Sequence, residues 1–287
     1  MTAPPTVVTG GSSGIGLALV ERLCATGRPA VVLDRVDCPL PHVPTTRVDL
    51  ADGESITGAA NELPGELAGL ACVAGVPGIG DPLDLLAINL LSTRLLADKL
   101  GERIAPGGAL VTVASVAAGR NMVPRDDVDR LVACRNRDQL AAWLCDVPLG
   151  APAAYDTSKL GLQMLTAQLA ASWITEDRRA VSISPGPVQT PILVDFEATM
   201  GRDSIERSAH IVGRHARPTE IAAVIEFVLS PVAGWVNGID IRADGGLVAT
   251  RSFAGLSDLQ PASLPETPRR TVRRHHLPAP VPCDGSS

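Results

Sequence analysis

Aromatic side chains make up only 2% of the 287 residues, and among them stands a single tyrosine, Tyr155. Lysine is almost as rare, with Lys99 and Lys159 set against 23 arginines. Cysteine occurs six times (Cys24, Cys38, Cys72, Cys134, Cys145, Cys283) but never as C-x-x-C, so neither a zinc site nor a redox dithiol is signalled. The six read as reduced thiols, and no metal is expected. No apolar run is long enough to span a membrane, and Met1 to Thr9 lacks the basic start of a secretory leader, which points to a cytoplasmic protein. Excess positive charge is missing too. The 25 basic and 31 acidic residues leave a net charge of −6, which argues against nucleic acid or an anionic membrane as partner and favours a small ligand. What is present, 45% hydrophobic and 20% charged residues, suffices for a sizeable core and excludes a disordered or collagen-like chain.

Apolar, β-branched runs of strand length alternate with longer segments of helical period, the pattern of a parallel sheet with crossover helices. Strands are expected at Thr6 to Thr9, Ala30 to Asp34, Thr45 to Asp49, Leu70 to Ala74, Ala109 to Ser115, Val181 to Ser184 and Ile239 to Ala243. Helices are expected near Ile15 to Thr26, Ser55 to Glu62, Pro82 to Arg103, Ala153 to Ile174 and Thr219 to Leu229. The fold class that follows is α/β: a single Rossmann-type, doubly wound parallel sheet of about seven strands, with helices on both faces. Residues 1–259 form this unit, interrupted by a helical insertion at 119–152 that holds five arginines and five aspartates. Residues 260–287, with six prolines and a run of arginines and histidines, read as a disordered tail.

Directly after the first expected strand comes Thr9-Gly10-Gly11-Ser12-Ser13-Gly14-Ile15-Gly16, and a helical pattern begins at its end. Glycine there permits a tight turn and close approach of a pyrophosphate, whose charge meets the free amides of the helix start. A second strand follows and ends on Asp34, twenty residues past Gly14. An acid at that place accepts the adenosine ribose hydroxyls and repels a 2′-phosphate, which favours NAD over NADP; Arg35 beside it pulls the other way. Tyr155 and Lys159 are four residues apart, so a helix sets the phenol and the ammonium on one face. A tyrosine near pKa 10 is a poor acid or base at neutrality. Lowering it by roughly 3 units corresponds to about 4 kcal/mol, and the lysine charge is the expected cause.

These residues resemble the short-chain dehydrogenase/reductase family over nearly all of Thr6 to Val248. The resemblance rests on the loop Thr9 to Gly16, Asp49-Leu50, Asn89, Ser115, the Tyr155 and Lys159 pair, Pro185-Gly186-Pro187-Val188-Gln189-Thr190 and Asp244-Gly245-Gly246. It implies that Tyr155 is the acid or base at the substrate oxygen, that Lys159 lowers its pKa and binds the nicotinamide ribose, and that Ser115 polarises the oxygen. Asn89 organises a water chain to Lys159 on the same resemblance. The implied cofactor contacts are Gly10, Ser13, Gly14, Ile15, Gly16, Asp34, Arg35, Asp49, Leu50, Ala74, Gly75, Tyr155, Lys159, Pro185, Gly186, Val188 and Thr190. Two features depart from the family: Cys72-Val73-Ala74-Gly75, where Asn-Asn-Ala-Gly is usual, and the 40-residue step from Ser115 to Tyr155. Both are similar to the bacterial 3α-hydroxysteroid dehydrogenase/carbonyl reductase branch.

The family's variable substrate loop falls at 189–215, where Ile192, Leu193, Phe196 and Met200 suggest an apolar pocket. The expected activity is NAD-dependent interconversion of a secondary alcohol and a ketone on a hydrophobic alicyclic or polycyclic substrate. A tailoring ketoreductase of terpenoid or polyketide metabolism is the alternative within enzymes. A non-catalytic dinucleotide-binding regulator is the rival of another class. The insertion adjoins the Tyr155 helix, commonly an oligomer contact in this family, so a homodimer is expected if it displaces that contact and the usual homotetramer if it does not.

Overall fold

The computed structural model describes residues 3–190 and 208–253. Seven strands form one sheet: β1 (Thr6–Thr9), β2 (Ala30–Asp34), β3 (Thr45–Arg47), β4 (Leu67–Cys72), β5 (Ile104–Val113), β6 (Arg179–Pro185) and β7 (Asp240–Ala243). Their order is β3-β2-β1-β4-β5-β6-β7, and every pairing is parallel. The chain runs outward from β1 to β3, returns to place β4 on the other side of β1, and proceeds to β7. The order reverses between β1 and β4, and the crevice beyond the carboxyl ends of those strands is where such folds hold ligands. Thr9 fastens that crevice: its hydroxyl accepts from the amides of Val73 and Ala74, each at 3.0 Å, extending the β1–β4 pairing past the ladder.

The helices are α1 (Gly14–Ala25), α2 (Gly53–Glu62), α3 (Pro82–Leu86), α4 (Ser92–Leu100), α5 (Arg125–Val132), α6 (Arg137–Asp146), α7 (Ala151–Ser172), α8 (Pro218–Val228) and α9 (Leu247–Phe253). One core lies between the sheet and α2, α4 and α7, with Ile56, Leu96 and Leu165 buried; the other lies under α1 and α8, with Leu19, Leu23 and Ile225. Each fully buried leucine or isoleucine removes enough apolar surface from water to favour folding by roughly 1.5–3 kcal/mol before chain entropy is counted. β5 starts five residues earlier than its apolar run predicts, because Ile104 joins the sheet before the break at Gly107 and Gly108. The single helix expected over Pro82 to Arg103 is divided by a π-helical turn at Ala87–Leu91, with a 3-10 turn at Gly101–Arg103. An extra residue in a helix leaves no mark on apolar periodicity, so sequence could not show it.

The stretch 119–152, expected as a helical insertion, holds the end of a 3-10 helix (Val116–Arg120), then α5 and α6. Val128, Leu131, Leu140 and Trp143 are buried there and continuous with the α7 core. The Trp143 indole donates to the Asp127 carbonyl at 2.8 Å, tying α6 to α5. Among the described residues no helix is long and apolar enough to cross a membrane. Residues 191–207 of the expected substrate loop, with Ile192, Leu193, Phe196 and Met200, lie outside the described residues, as does the whole tail 260–287.

Candidate active site

At the end of β1 the backbone turns through Gly10 (φ 69°) and Gly14 (φ 52°) into α1. A Cβ on Gly10 would sit 2.9 Å from the Ala74 Cα, so β4's end presses directly on this turn. Ser13 caps α1 without a side-chain hydrogen bond, and no acid occupies the first turn. The helix start therefore keeps amide donors for an anion, over a cradle that any β-carbon would fill. These features fit a dinucleotide pyrophosphate. Asp34 closes the far end: Ser12 donates to it through its amide, at 3.1 Å, and through its hydroxyl, and the Arg35 amide donates at 2.7 Å. Its carboxylate is thus aimed and held rather than loose.

A cavity of about 600 Å³ runs from this turn across the carboxyl ends of the strands. Nearly every residue expected at the site lines it: Gly10, Ser13, Gly14, Ile15, Gly16, Asp34, Arg35, Asp49, Leu50, Ala74, Gly75, Ser115, Tyr155, Lys159, Pro185, Gly186, Val188 and Thr190. Asn89 stands behind it. On the π-helical turn, 1% exposed, Asn89 accepts from the Val76 amide (2.8 Å) and donates to the Val76 carbonyl (3.0 Å) and Ser158 Oγ (3.3 Å). A Cβ on Gly75 would lie 3.2 Å from Asn89 Oδ1 and 3.4 Å from Lys159 Nζ, so glycine there lets the three groups meet. The loop after β6 is fastened by bonds between Gln189 N and Ala216 O (2.8 Å) and between Ala216 N and Pro187 O (3.0 Å). Asp244 caps α9, accepting from the amides of Gly246 (2.9 Å) and Val248 (2.8 Å).

At the deeper end Ser115, Tyr155 and Lys159 converge. Ser115 ends the β5 segment and caps the 3-10 helix by accepting from the Ala117 amide at 3.1 Å, while its side chain also hydrogen-bonds Tyr155. Lys159 Nζ lies 5.5 Å from the Tyr155 ring centroid and donates to the Val113 carbonyl at 3.0 Å. Burial pushes the phenol up to about 12; the Ser115 hydrogen bond and the Arg120 charge pull it down, and Asp156 pushes it up. Burial also holds the Lys159 ammonium down to about 8. Contrary to expectation, the lysine charge is not among the groups that lower the phenol. Desolvation acts on both groups and outweighs attraction between a buried acid and a buried ammonium whose own charge is disfavoured.

Sequence reasoning missed several lining residues. Ser12, which aims Asp34, was within reach, since it stands inside the glycine loop. Arg120, Ser208, Leu247 and Arg251 carried no local signal, because strand and helix packing brings them in from distant segments. Ser208 Oγ accepts from Arg251 Nη2 at 2.7 Å. The unusual Cys72 is buried at the β4 end with its thiol pushed up to about 12 by burial, which leaves it an unreactive packing group.

Residues 144–248 match the family described as enoyl-(acyl carrier protein) reductase. A coniferyl-alcohol dehydrogenase of Pseudomonas sp. (strain HR199 / DSM 7063) is 34% identical over 251 residues, covering 87% of this chain and 98% of the relative. The 3-alpha-hydroxysteroid dehydrogenase/carbonyl reductase of Comamonas testosteroni is 27% identical, covering 85% and 96%. Among solved structures, the 3-alpha-hydroxysteroid dehydrogenase of Pseudomonas sp. B-0831 complexed with NADH superposes with a TM-score of 0.74 at 27% identity, covering 86% of this chain and 97% of that one.

Proposed function

Because the chain belongs to the short-chain dehydrogenase/reductase family, whose members here are alcohol dehydrogenases and ketoreductases, we propose that it interconverts a secondary alcohol and a ketone on a hydrophobic, ring-bearing substrate with NAD. The observation that carries this reading is the meeting of Ser115, Tyr155 and Lys159 at one end of a cavity whose other end is a dinucleotide cradle. Bound there, the nicotinamide group accepts or supplies the hydride.

Tyr155 Oη gives its proton to the carbonyl oxygen in reduction and takes one from the hydroxyl in oxidation. Ser115, whose oxygen accepts from the Ala117 amide, turns its proton from the Tyr155 oxygen to the substrate oxygen once substrate is bound. Lys159 stands beside the phenol and would bind a ribose hydroxyl of the cofactor; Asn89 braces the floor under it through Val76 and Ser158. Val188 and Thr190, on the fastened loop after β6, would hold the carboxamide of the cofactor. The apolar walls, Val76, Ala117 and Leu247 among them, suit a hydrocarbon ring better than a polyol.

The preference for NAD is supported by Asp34, whose carboxylate is held by Ser12 at the place a 2′-phosphate would need. Of the two cations nearby, Arg47 is paired with Asp37 at 2.7 Å, while Arg35 lines the cavity beside Asp34 and is the residue that would favour a 2′-phosphate. Replacing Asp34 by Ala should lower the NAD-over-NADP ratio of kcat/KM by roughly tenfold or more, as expected for losing two charge-assisted hydrogen bonds to the ribose. A parent protein already faster with NADP would sink the assignment.

The activity itself is tested by following NADH absorbance with a panel of 3α-hydroxysteroids, cyclic terpene alcohols, coniferyl alcohol and galactitol. Turnover is expected on ring-bearing secondary alcohols. Coniferyl alcohol is the second reading, favoured by the 34% identical relative, and it is a primary alcohol. Tight NADH binding with no turnover on any of these would favour a dinucleotide-binding regulator.

A further inference from the structure

Arg120 closes the short 3-10 helix that Ser115 opens, so both side chains are carried on one rigid piece of backbone. Its guanidinium crosses to α7 and grips the carboxylate of Asp156, with Nε to Oδ2 at 3.0 Å and Nη2 to Oδ1 at 2.6 Å. The next residues repeat the link: Thr157 Oγ1 donates to Asn121 Oδ1 at 2.8 Å. Two cross-links in register hold the 3-10 helix against the turn of α7 that bears Tyr155. The Asp156 side chain is 15% exposed and the Arg120 side chain 44%, so the anion lies beneath and the cation faces the cavity it lines with Ser115 and Tyr155.

We propose that Arg120, clamped by Asp156, is a positioning residue for the proton transfer: a permanent cation that stabilises negative charge on the Tyr155 oxygen. The inference rests on the proposed role of Tyr155. A guanidinium stays protonated at any pH the enzyme meets, whereas the Lys159 ammonium is disfavoured by burial and donates a hydrogen bond to the Val113 carbonyl. The phenol responds to this arrangement, since after burial and the Ser115 hydrogen bond the Arg120 charge is what lowers it, against Asp156.

Most charges on the other elements packed against α7 are engaged elsewhere. On α5, Arg125 pairs with Asp129, and Arg130 with Asp127 and Asp146. Asp84 of α3 pairs with Arg137, and Arg179 of β6 donates to the carbonyls of Val228 and Ser230. Lys159, Asp156 and Arg120 are thus the charged groups facing the phenol among the described residues.

The test compares the parent with Arg120→Met and Arg120→Lys, reading the pH dependence of kcat/KM for alcohol oxidation and the tyrosinate absorbance titration with and without NAD. Tyr155 is the sole tyrosine, so that titration reports one group. In the Met variant both the alkaline rise and the titration should move up by about one pH unit, or about tenfold in kcat/KM below the rise, as for one charge removed at partly screened range. Lysine should bring both back toward the parent. A Met variant that titrates with the parent, or a Lys variant that fails to rescue, overturns the proposal even if KM changes. Should no alcohol turn over, the functional reading fails while the titration still decides this one. Circular dichroism checks folding, and Arg120→Gln replaces the Met variant if that chain does not fold.

Discussion

Tyr155→Phe should reduce kcat for alcohol oxidation by about 10²–10⁴-fold, the usual range for removing a positioned general acid or base, while NADH affinity changes little. The change removes one oxygen from a ring that is 8% exposed, so packing on α7 is kept and the loss reports chemistry rather than folding. Ser115 and the cofactor cradle remain, which leaves a residual rate above background. In the parent, burial holds the phenol up to about 12, so at neutral pH it is protonated and ready to donate. Reduction of a ketone is then favoured at neutral pH, and kcat/KM for oxidation climbs as pH rises and the phenolate forms. The Phe variant should lose that climb along with the rate. Steady-state rates across pH and a fluorescence titration with NADH provide the check; turnover that persists at near the parental rate without the phenol would overturn the mechanism.

Gly16→Ala should destabilise the protein by about 1–3 kcal/mol or more through overpacking and weaken NADH binding at least a hundredfold. An alanine within an ordinary helix stabilises relative to glycine, so the sign of this change is diagnostic. Here the added Cβ would lie 2.7 Å from the Gly10 carbonyl carbon and closer still to its oxygen. Gly10 cannot yield, because its amide donates to the Leu33 carbonyl at 3.0 Å and even one added carbon on it would press on Ala74. The first turn of α1 must instead move away from the loop, which pulls its amides off the pyrophosphate position. Thermal unfolding should fall by about 2–4 °C per kcal/mol for a chain of this size. A variant as stable as the parent and equally tight for NADH would show that the close approach is not needed.

Both predictions stand on residues that the sequence by itself singles out, and the reason is locality. The glycine loop, the strand before it and the acid after it are short-range features whose steric meaning is set by neighbouring residues. The spacing of Tyr155 and Lys159 places them on one face of any helix, and the scarcity of both residue types made the pair conspicuous. Alternation of apolar runs with helical segments likewise implied the parallel sheet, and the strands stand where those runs are, apart from their ends. The early start of β5 and the π-helical turn carrying Asn89 were not legible, since hydrogen-bond register leaves no trace in residue periodicity.

Electrostatics belongs wholly to the tertiary structure. A tyrosine four residues from a lysine looks like an activated acid in one dimension; burial decides instead that the phenol rises to about 12 and the ammonium falls to about 8. Arg120 reaches Asp156 across 36 residues of chain, and nothing local to either announces the pair. Sequence alone determined the sheet, the dinucleotide cradle and the Tyr155 and Lys159 pair, because backbone sterics and helical spacing act over a few residues. Only the folded chain decided what charge surrounds the phenol, because desolvation and Coulomb forces depend on distance through space, not along the chain.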